Sequence, residues 1–381
     1  MEALILGWYV LTETGSVESL VVFASLAWLG SIFSPFFGIA GDRLGFRVLL
    51  CATRAGYAVL AALVTLLAFT QVLRPWHVFA IAALAGLMRP SDMVMRNVLV
   101  AQTMQPYMLM GALAIARTTS DTARVAGALA GTGTVALIGM GPAYAVVTLL
   151  YIVAFVLSLG VASARASGSA SATKTFAGLK QAIGYIWRVP EQLGAFSIAF
   201  LVNLLAFPFF LGLLPYVAKE IYVIGQTGLG YLAAAFASGA LVGSLLVGGG
   251  RIALAAGRVM LAAGVVWFIA ILLFGHTHTL ATGLPLLFIA GIAQSLCMTP
   301  LAAVMLRSSS EEMRGRVMGI RMLAVWGLPL GLLLAGPAIA HLGYTATTLL
   351  YGGTGLAATI GVAYRWRDAL WRRLAPANVH P

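Results

Sequence analysis

Three ionisable side chains stand close together in the stretch ARTTSDTAR, residues 116–124, of a 381-residue chain that is 61% hydrophobic and 9% charged. Arg117 to Asp121 is i, i+4 and Asp121 to Arg124 is i, i+3, so on a helix all three share one face. Near the centre of a bilayer each charge costs about 2.5–3.5 kcal/mol. That face must therefore look into a helix bundle or a water-filled cavity. Two chemistries fit. The face can be a polar wall that recognises an anionic solute, with Asp121 held ionised between two guanidiniums. It can equally be an ion-pair clip tying its helix to Arg89, Asp92 or Arg54. An Asp held ionised in this way is a poor proton carrier.

Further polar groups interrupt other apolar runs. Arg89-Pro90-Ser91-Asp92 lies at the end of one, where gating and substrate contact are both open to it. Asn203, Gln294 and Trp326 can line a central cavity or pack between helices. Hydrolytic chemistry has no foothold, since neither HExxH nor GxSxG occurs. The five His have no metal spacing, and Cys51 and Cys297 lie in apolar runs, so no metal or disulfide framework is expected. None of the three Lys (Lys174, Lys180, Lys219) follows a Gly, which excludes a GxxxxGK[ST] phosphate loop and ATP use through one. No cofactor is expected.

The elements that must position these groups are membrane spans. Mean hydropathy is +0.98, and apolar runs of about 20 residues, the length that crosses a bilayer core, recur from end to end. They lie near 20–41, 48–70, 76–95, 107–135, 141–163, 193–217, 227–249, 257–274, 283–306, 317–338 and 344–363, preceded by a short piece at 3–11. The 43 Gly suit close helix packing. Between the halves lies a Gly/Ser/Ala-rich linker, whose second part can form a surface helix with Phe176, Leu179, Ile183 and Ile186 on one side. The expected organisation is an N-terminal bundle at 1–163, a linker at 164–190, a C-terminal bundle at 191–363 and a basic tail at 364–381. YAVVTLLY at 144–151 and YTATTLLY at 344–351 open the last span of each half, which suggests two parallel repeats.

A net charge of +12 would suggest nucleic acid in a soluble protein, but here it reports orientation. Of the 23 Lys and Arg, Arg54, Arg117 and Arg124 fall inside spans, and Arg74 and Lys219 lie in loops on one side. The others all lie on the opposite side, which the positive-inside rule makes cytoplasmic. No nucleic-acid partner is expected. The same orientation makes MEALILGWYVL the outer part of a helix that begins in the cytoplasm. Eleven residues span about 16 Å of the roughly 30 Å required. The expectation is that Met1 is not the natural start, and that the termini of the complete protein are cytoplasmic.

GIAGDRLGFR, residues 38–47, places Gly41 and Gly45 for a tight turn and Asp42 near the start of the next helix, where its charge is favourable. This loop resembles the signature between helices two and three of the major facilitator superfamily. Gly38, Asp42, Arg43, Gly45 and Arg47 match it, and Phe46 stands where a basic residue is usual. In that family the loop latches the cytoplasmic side. FLVNLLAFPFFLGLLPYVAKEIY, EEMRGRVMGI and ARVAGALAG are similar to the branch of secretion, siderophore and drug exporters. The last departs from the exporter pattern, with Ala128 after Gly127 where Pro is usual. GGGRIALAAGR, the corresponding loop of the second half, lacks its acidic residue.

The resemblance implies an all-α polytopic fold of two six-helix bundles, with the first helix truncated here, that works by alternating access. It implies export of a drug-like or siderophore-like molecule across a bacterial inner membrane, by a monomer in the lipid bilayer; with the phosphate loop excluded, coupling to an ion gradient, protons first, or facilitated diffusion remains. Glu2 would then lie near the bilayer midplane on a cavity-lining helix, a candidate proton carrier, or it merely starts the chain at the membrane surface. Metabolite uptake, or a non-transporting receptor or scaffold on the same fold, are the alternatives.

Overall fold

Apolar runs become helices because lipid offers the backbone no hydrogen bonds, so each N–H and C=O must pair within its own segment. The computed structural model describes residues 1–33, 44–103, 109–160, 183–247 and 256–371, with backbone alone at residues 46, 90–103, 109–117, 311–312, 314–316 and 319. The regular elements among the described residues are all helical. Seven of these helices are long and apolar enough to cross a membrane, so this is a multi-pass membrane protein. Contacts divide the chain into two compact units, Met1–Thr175 with Leu211–Ala234, and Phe176–Phe210 with Ala235–Pro381.

The first unit contains α1 (Glu2–Thr14), α2 (Val17–Leu26), α3 (Phe46–Phe69), α4 (Pro75–Thr103), α5 (Leu109–Ile138) and α6 (Met140–Leu159). Gly15, at φ +62°, ends α1 and donates its N–H to the Leu11 carbonyl at 3.0 Å. Ser16 then caps α2 by accepting the Ser19 N–H at 3.2 Å, so two residues make the whole turn. Helices α3 and α6 lie side by side, joined by the Thr65 and Thr148 hydroxyls at 2.9 Å. At the α2–α4 crossing, a Cβ on Gly86 would meet the Leu26 carbonyl oxygen, so the backbones touch where side chains would stand. Helix α4 continues about two turns past the apolar run that ends near residue 95.

The second unit contains α7 (Pro190–Leu205), most of α8 (Gln226–Val247), α9 (Ala256–Phe274), α10 (Leu280–Arg307), α11 (Glu311–Leu323), α12 (Gly327–Leu342), α13 (Tyr344–Arg365) and the short α14 (Arg367–Leu370). The apolar run at 193–217 is not one straight helix. After Leu205 it continues as Phe207–Leu211, Leu214–Tyr216 and a π-helical turn, Val217–Ile221. Pro208 and Pro215 supply the physical reason, since each lacks the N–H that would bond four residues back. Gly239 on α8 and Gly291 on α10 form a second backbone crossing, where added Cβ atoms would meet the Phe288 and Phe236 carbonyl oxygens. Gln192, fully buried, donates to the Met305 carbonyl and the Ser308 hydroxyl, both at 2.7 Å, and so ties the start of α7 to the end of α10.

Of the expected surface helix, residues 183–188 are described and helical, while Phe176 and Leu179 lie outside the described residues. Ile186 is buried, Trp187 is exposed, and the Tyr185 hydroxyl donates to the Ser308 carbonyl at 2.9 Å. The matching octets fall on α6 and α13, each preceded by a Gly cap, Gly139 at φ +81° and Gly343 at φ +84°.

Candidate functional site

Glu2 opens α1, and α6 meets it there. The Tyr151 hydroxyl, on the twelfth residue of the 20-residue α6, donates to Glu2 Oε2 at 2.8 Å. The Tyr151 ring stacks on Tyr57 of α3, with centroids 5.4 Å apart and planes 19° from parallel. Tyr57 sends its own hydroxyl to the Ala85 carbonyl of α4 at 3.3 Å. Four helices thus fix the carboxylate through two rings.

These groups line a cavity of about 510 Å³ within the first unit, whose polar wall is Glu2, Arg54, Tyr57, Arg89 and Tyr151. The rest of the wall is apolar, including Leu6, Phe23, Ile81 and Val147. The Arg89 guanidinium lies 4.2 Å from the Trp28 ring centroid, a cation–π contact at the edge of this space. The sequence left Arg89 open to gating or substrate contact, and showed Arg54 as a charge inside a span. The fold brings both to the same cavity as Glu2.

Asp121 is buried, 1% exposed, and accepts a hydrogen bond from Arg124 Nη1 at 3.4 Å. Arg124 is 63% exposed, so the pair joins a buried carboxylate to a solvated or headgroup-facing cation. The Arg117 side chain lies outside the described residues, and so does that of Asp92. Of the loop residues, Gly38, Asp42 and Arg43 also lie outside them. Gly45 caps α3 at φ +88°, a conformation that favours Gly. Arg47 donates to the Leu159 carbonyl oxygen, placing a cation at the C-terminus of α6, where the helix dipole favours it.

At the opposite end of α1, Lys219 Nζ donates to the Leu11 carbonyl at 3.2 Å. Pro215 packs against Gly7, whose added Cβ would stand 3.4 Å from Pro215 Cγ. In the second unit, Asn203 is buried and spends its amide on the Ala199 carbonyl of its own helix at 2.8 Å, beside Gly327. Gln294 is buried on α10, and Trp326 lies in the 3-10 turn between α11 and α12. None of these three lines the Glu2 cavity. Among the described residues no His, Cys, Asp or Glu cluster could hold a metal.

A family model described as Major Facilitator Superfamily matches residues 3–332. The chain belongs to the major facilitator superfamily. Its fold is also that of solved transporters. The nucleoside transporter NupG matches with a TM-score of 0.68 at 15% identity, over 96% of this chain and 94% of that one. A single-residue mutant of NupG matches with a TM-score of 0.71 at 14% identity, over 97% and 95%. The human organic anion transporter MFSD10 (TETRAN) matches with a TM-score of 0.60 at 18% identity, over 91% and 83%. No curated protein matches the chain in sequence.

A major facilitator fold is that of a secondary transporter, which implies a small-molecule substrate and a lipid bilayer. Within this major facilitator, sequence reasoning passed over Tyr57, Trp28 and the pairing role of Tyr151. Tyr151 was visible as part of a repeated octet, but the octet carries no sign of which Tyr meets a carboxylate 149 residues away. A buried Tyr hydroxyl usually finds a hydrogen-bond partner, but the rule does not single out Tyr151, since the buried Tyr144 hydroxyl of the same octet has none among the described residues.

Proposed function

We propose that this protein is a proton-coupled exporter of a small amphipathic organic molecule bearing an anionic group, working by alternating access in a bacterial inner membrane. The observation that carries this reading is the Glu2 carboxylate, bonded by Tyr151 and sharing one cavity with Arg54 and Arg89. One oxygen of Glu2 is engaged by Tyr151, and the side chain lines the cavity, so a proton taken up there is handed to and from that space. Two guanidiniums on the same wall suit an anion, because Arg presents paired donors to carboxylate or phosphate.

Asp121 and Arg124 on α5 supply a second polar stretch, and the GDRLGFR loop acts as the cytoplasmic latch. The solved neighbours are named for different substrates, a nucleoside in one and organic anions in the other. At 14–18% identity they share the fold, and the substrate must come from the cavity itself. Export is favoured by the exporter-like stretches at 123–131, 200–222 and 311–320.

Inside-out vesicles carrying the protein test this reading. Accumulation of an anionic amphiphile that requires an imposed proton gradient, and collapses with a protonophore, is the expected result. Accumulation that ignores the gradient would remove the coupling. Uptake in right-side-out vesicles would reverse the direction.

A further inference from the structure

The C-terminal corner of the second unit gathers arginines and aromatic rings around one buried leucine. Helix α13 ends at Arg365, and Trp366 (φ −114°, ψ 26°) breaks the chain before α14. Leu370 is 3% exposed and lodges between the first turns of α7 and α9. A Cβ on Gly194 would stand 2.9 Å from Leu370 Cδ1, and one on Gly257 would meet the Leu370 carbonyl oxygen. Arg258 follows Gly257 and donates through Nε to the Trp371 carbonyl at 2.8 Å. Two Gly and one Leu therefore pin α14 to α7 and α9.

That pin brings Arg258 to the same corner as Arg365 and Arg367, and each guanidinium there lies near an aromatic ring. Arg258 lies 5.8 Å from the Trp371 ring, Arg365 lies 5.7 Å from Trp366, and Arg367 lies 5.6 Å from Tyr364. The rings are not sealed in the core, for Tyr364 is 75% and Trp371 49% exposed. Asp368 stands 3.8 Å from Arg367, with both side chains largely exposed. An exposed pair of this kind is worth about 0–1 kcal/mol, and it leaves a surplus of positive charge at the corner. The corner also sits where apolar spans stop, at the start of Ala256–Phe274 and the end of Tyr344–Arg365. Trp and Tyr beside cations at that level is the composition that meets lipid headgroups.

We propose that Arg258, Arg365 and Arg367 form a docking site for the phosphate of an anionic phospholipid, with Trp371 and Tyr364 beside the glycerol region. A guanidinium binds phosphate through paired, charge-assisted hydrogen bonds, whereas a zwitterionic headgroup offers no net charge for three of them. The bound lipid joins the ends of α9 and α13, and its binding rests on none of the residues assigned to transport.

The test uses the purified full chain in neutral detergent, titrated with phosphatidylglycerol or with phosphatidylcholine and read by native mass spectrometry. Phosphatidylglycerol should bind the wild-type protein more tightly, and Arg365→Gln with Arg367→Gln should weaken it by about five-fold per charge removed. The charge-matched control, Arg188→Gln with Arg307→Gln, should change it by less than about two-fold. Equal loss in both double variants, or equal binding of the two lipids by the wild type, would overturn the site.

Discussion

The Tyr151 hydroxyl donates to the Glu2 carboxylate at 2.8 Å, joining α6 to the first turn of α1. A carboxyl group on the wall of a largely apolar cavity is stabilised when a donor comes with it. Removing the donor in Tyr151→Phe should cost about 1.5–3 kcal/mol, the range for a hydrogen bond to a charged group. Thermal unfolding in detergent measures that loss. Glu2→Gln keeps a group of the same shape, so it should retain the fold while transport no longer responds to pH. Unchanged proton dependence in Glu2→Gln would end the assignment of Glu2 as the carrier.

Gly45 holds φ +88° at the start of α3. A β-branched residue is strained there by about 1–3 kcal/mol. Gly45→Val should therefore abolish transport by displacing the loop before it, and Asp42→Asn should do so by removing the loop's acidic group. Both should still insert, as membrane-fraction immunoblots would report. Full transport by both variants would detach this loop from gating.

Asp121 and Arg124 differ sharply in exposure, 1% against 63%. The coupling between them should be that of an exposed pair, under about 1 kcal/mol in a double-mutant cycle of Asp121→Asn and Arg124→Gln. Asp121→Ala should cost more, about 1–3 kcal/mol, because it abandons every partner of a buried acceptor. A coupling of several kcal/mol in the cycle would mean that Arg124 is withdrawn from solvent when the protein works.

Lys219 reaches from the π-helical turn to the Leu11 carbonyl, and Leu11 is fully buried. Lys219→Met should loosen that contact. In a background with Cys51→Ser and Cys297→Ser, a Leu11→Cys probe should react faster with an impermeant maleimide once Lys219 is replaced. An unchanged labelling rate would show that Pro215 and Gly7 hold this end without the ammonium.

Span positions were legible because bilayer thickness imposes a length, and α9 at Ala256–Phe274 differs from the apolar run by one residue. Hydropathy could not show the break at Leu205, since Pro208 and Pro215 leave the run apolar while removing its hydrogen bonds. It also stopped α4 too early. Past the lipid a helix needs no apolar side chains, so the residues from Met95 to Thr103 read as loop. The site was legible as a set of residue types and not as a constellation. Glu2, Arg54 and Arg89 were each visible as charges in apolar surroundings, yet nothing in local spacing says that α1, α3 and α4 deliver them to one cavity.

The crossing of Gly239 and Gly291 puts bare peptide against bare peptide. Elsewhere helices are held at a set angle because side-chain ridges seat in grooves. This junction has no ridges at its centre; one turn along α10 the Ser295 hydroxyl donates to the Ala240 carbonyl of α8 at 2.7 Å and holds the crossing in register. Helix α10 carries Pro285 and Pro300 on either side of Gly291, each deleting one rung of its hydrogen-bond ladder. The result is a crossing clamped by bare backbone and one hydroxyl, with the two places where α10 bends most easily lying on either side of the clamp.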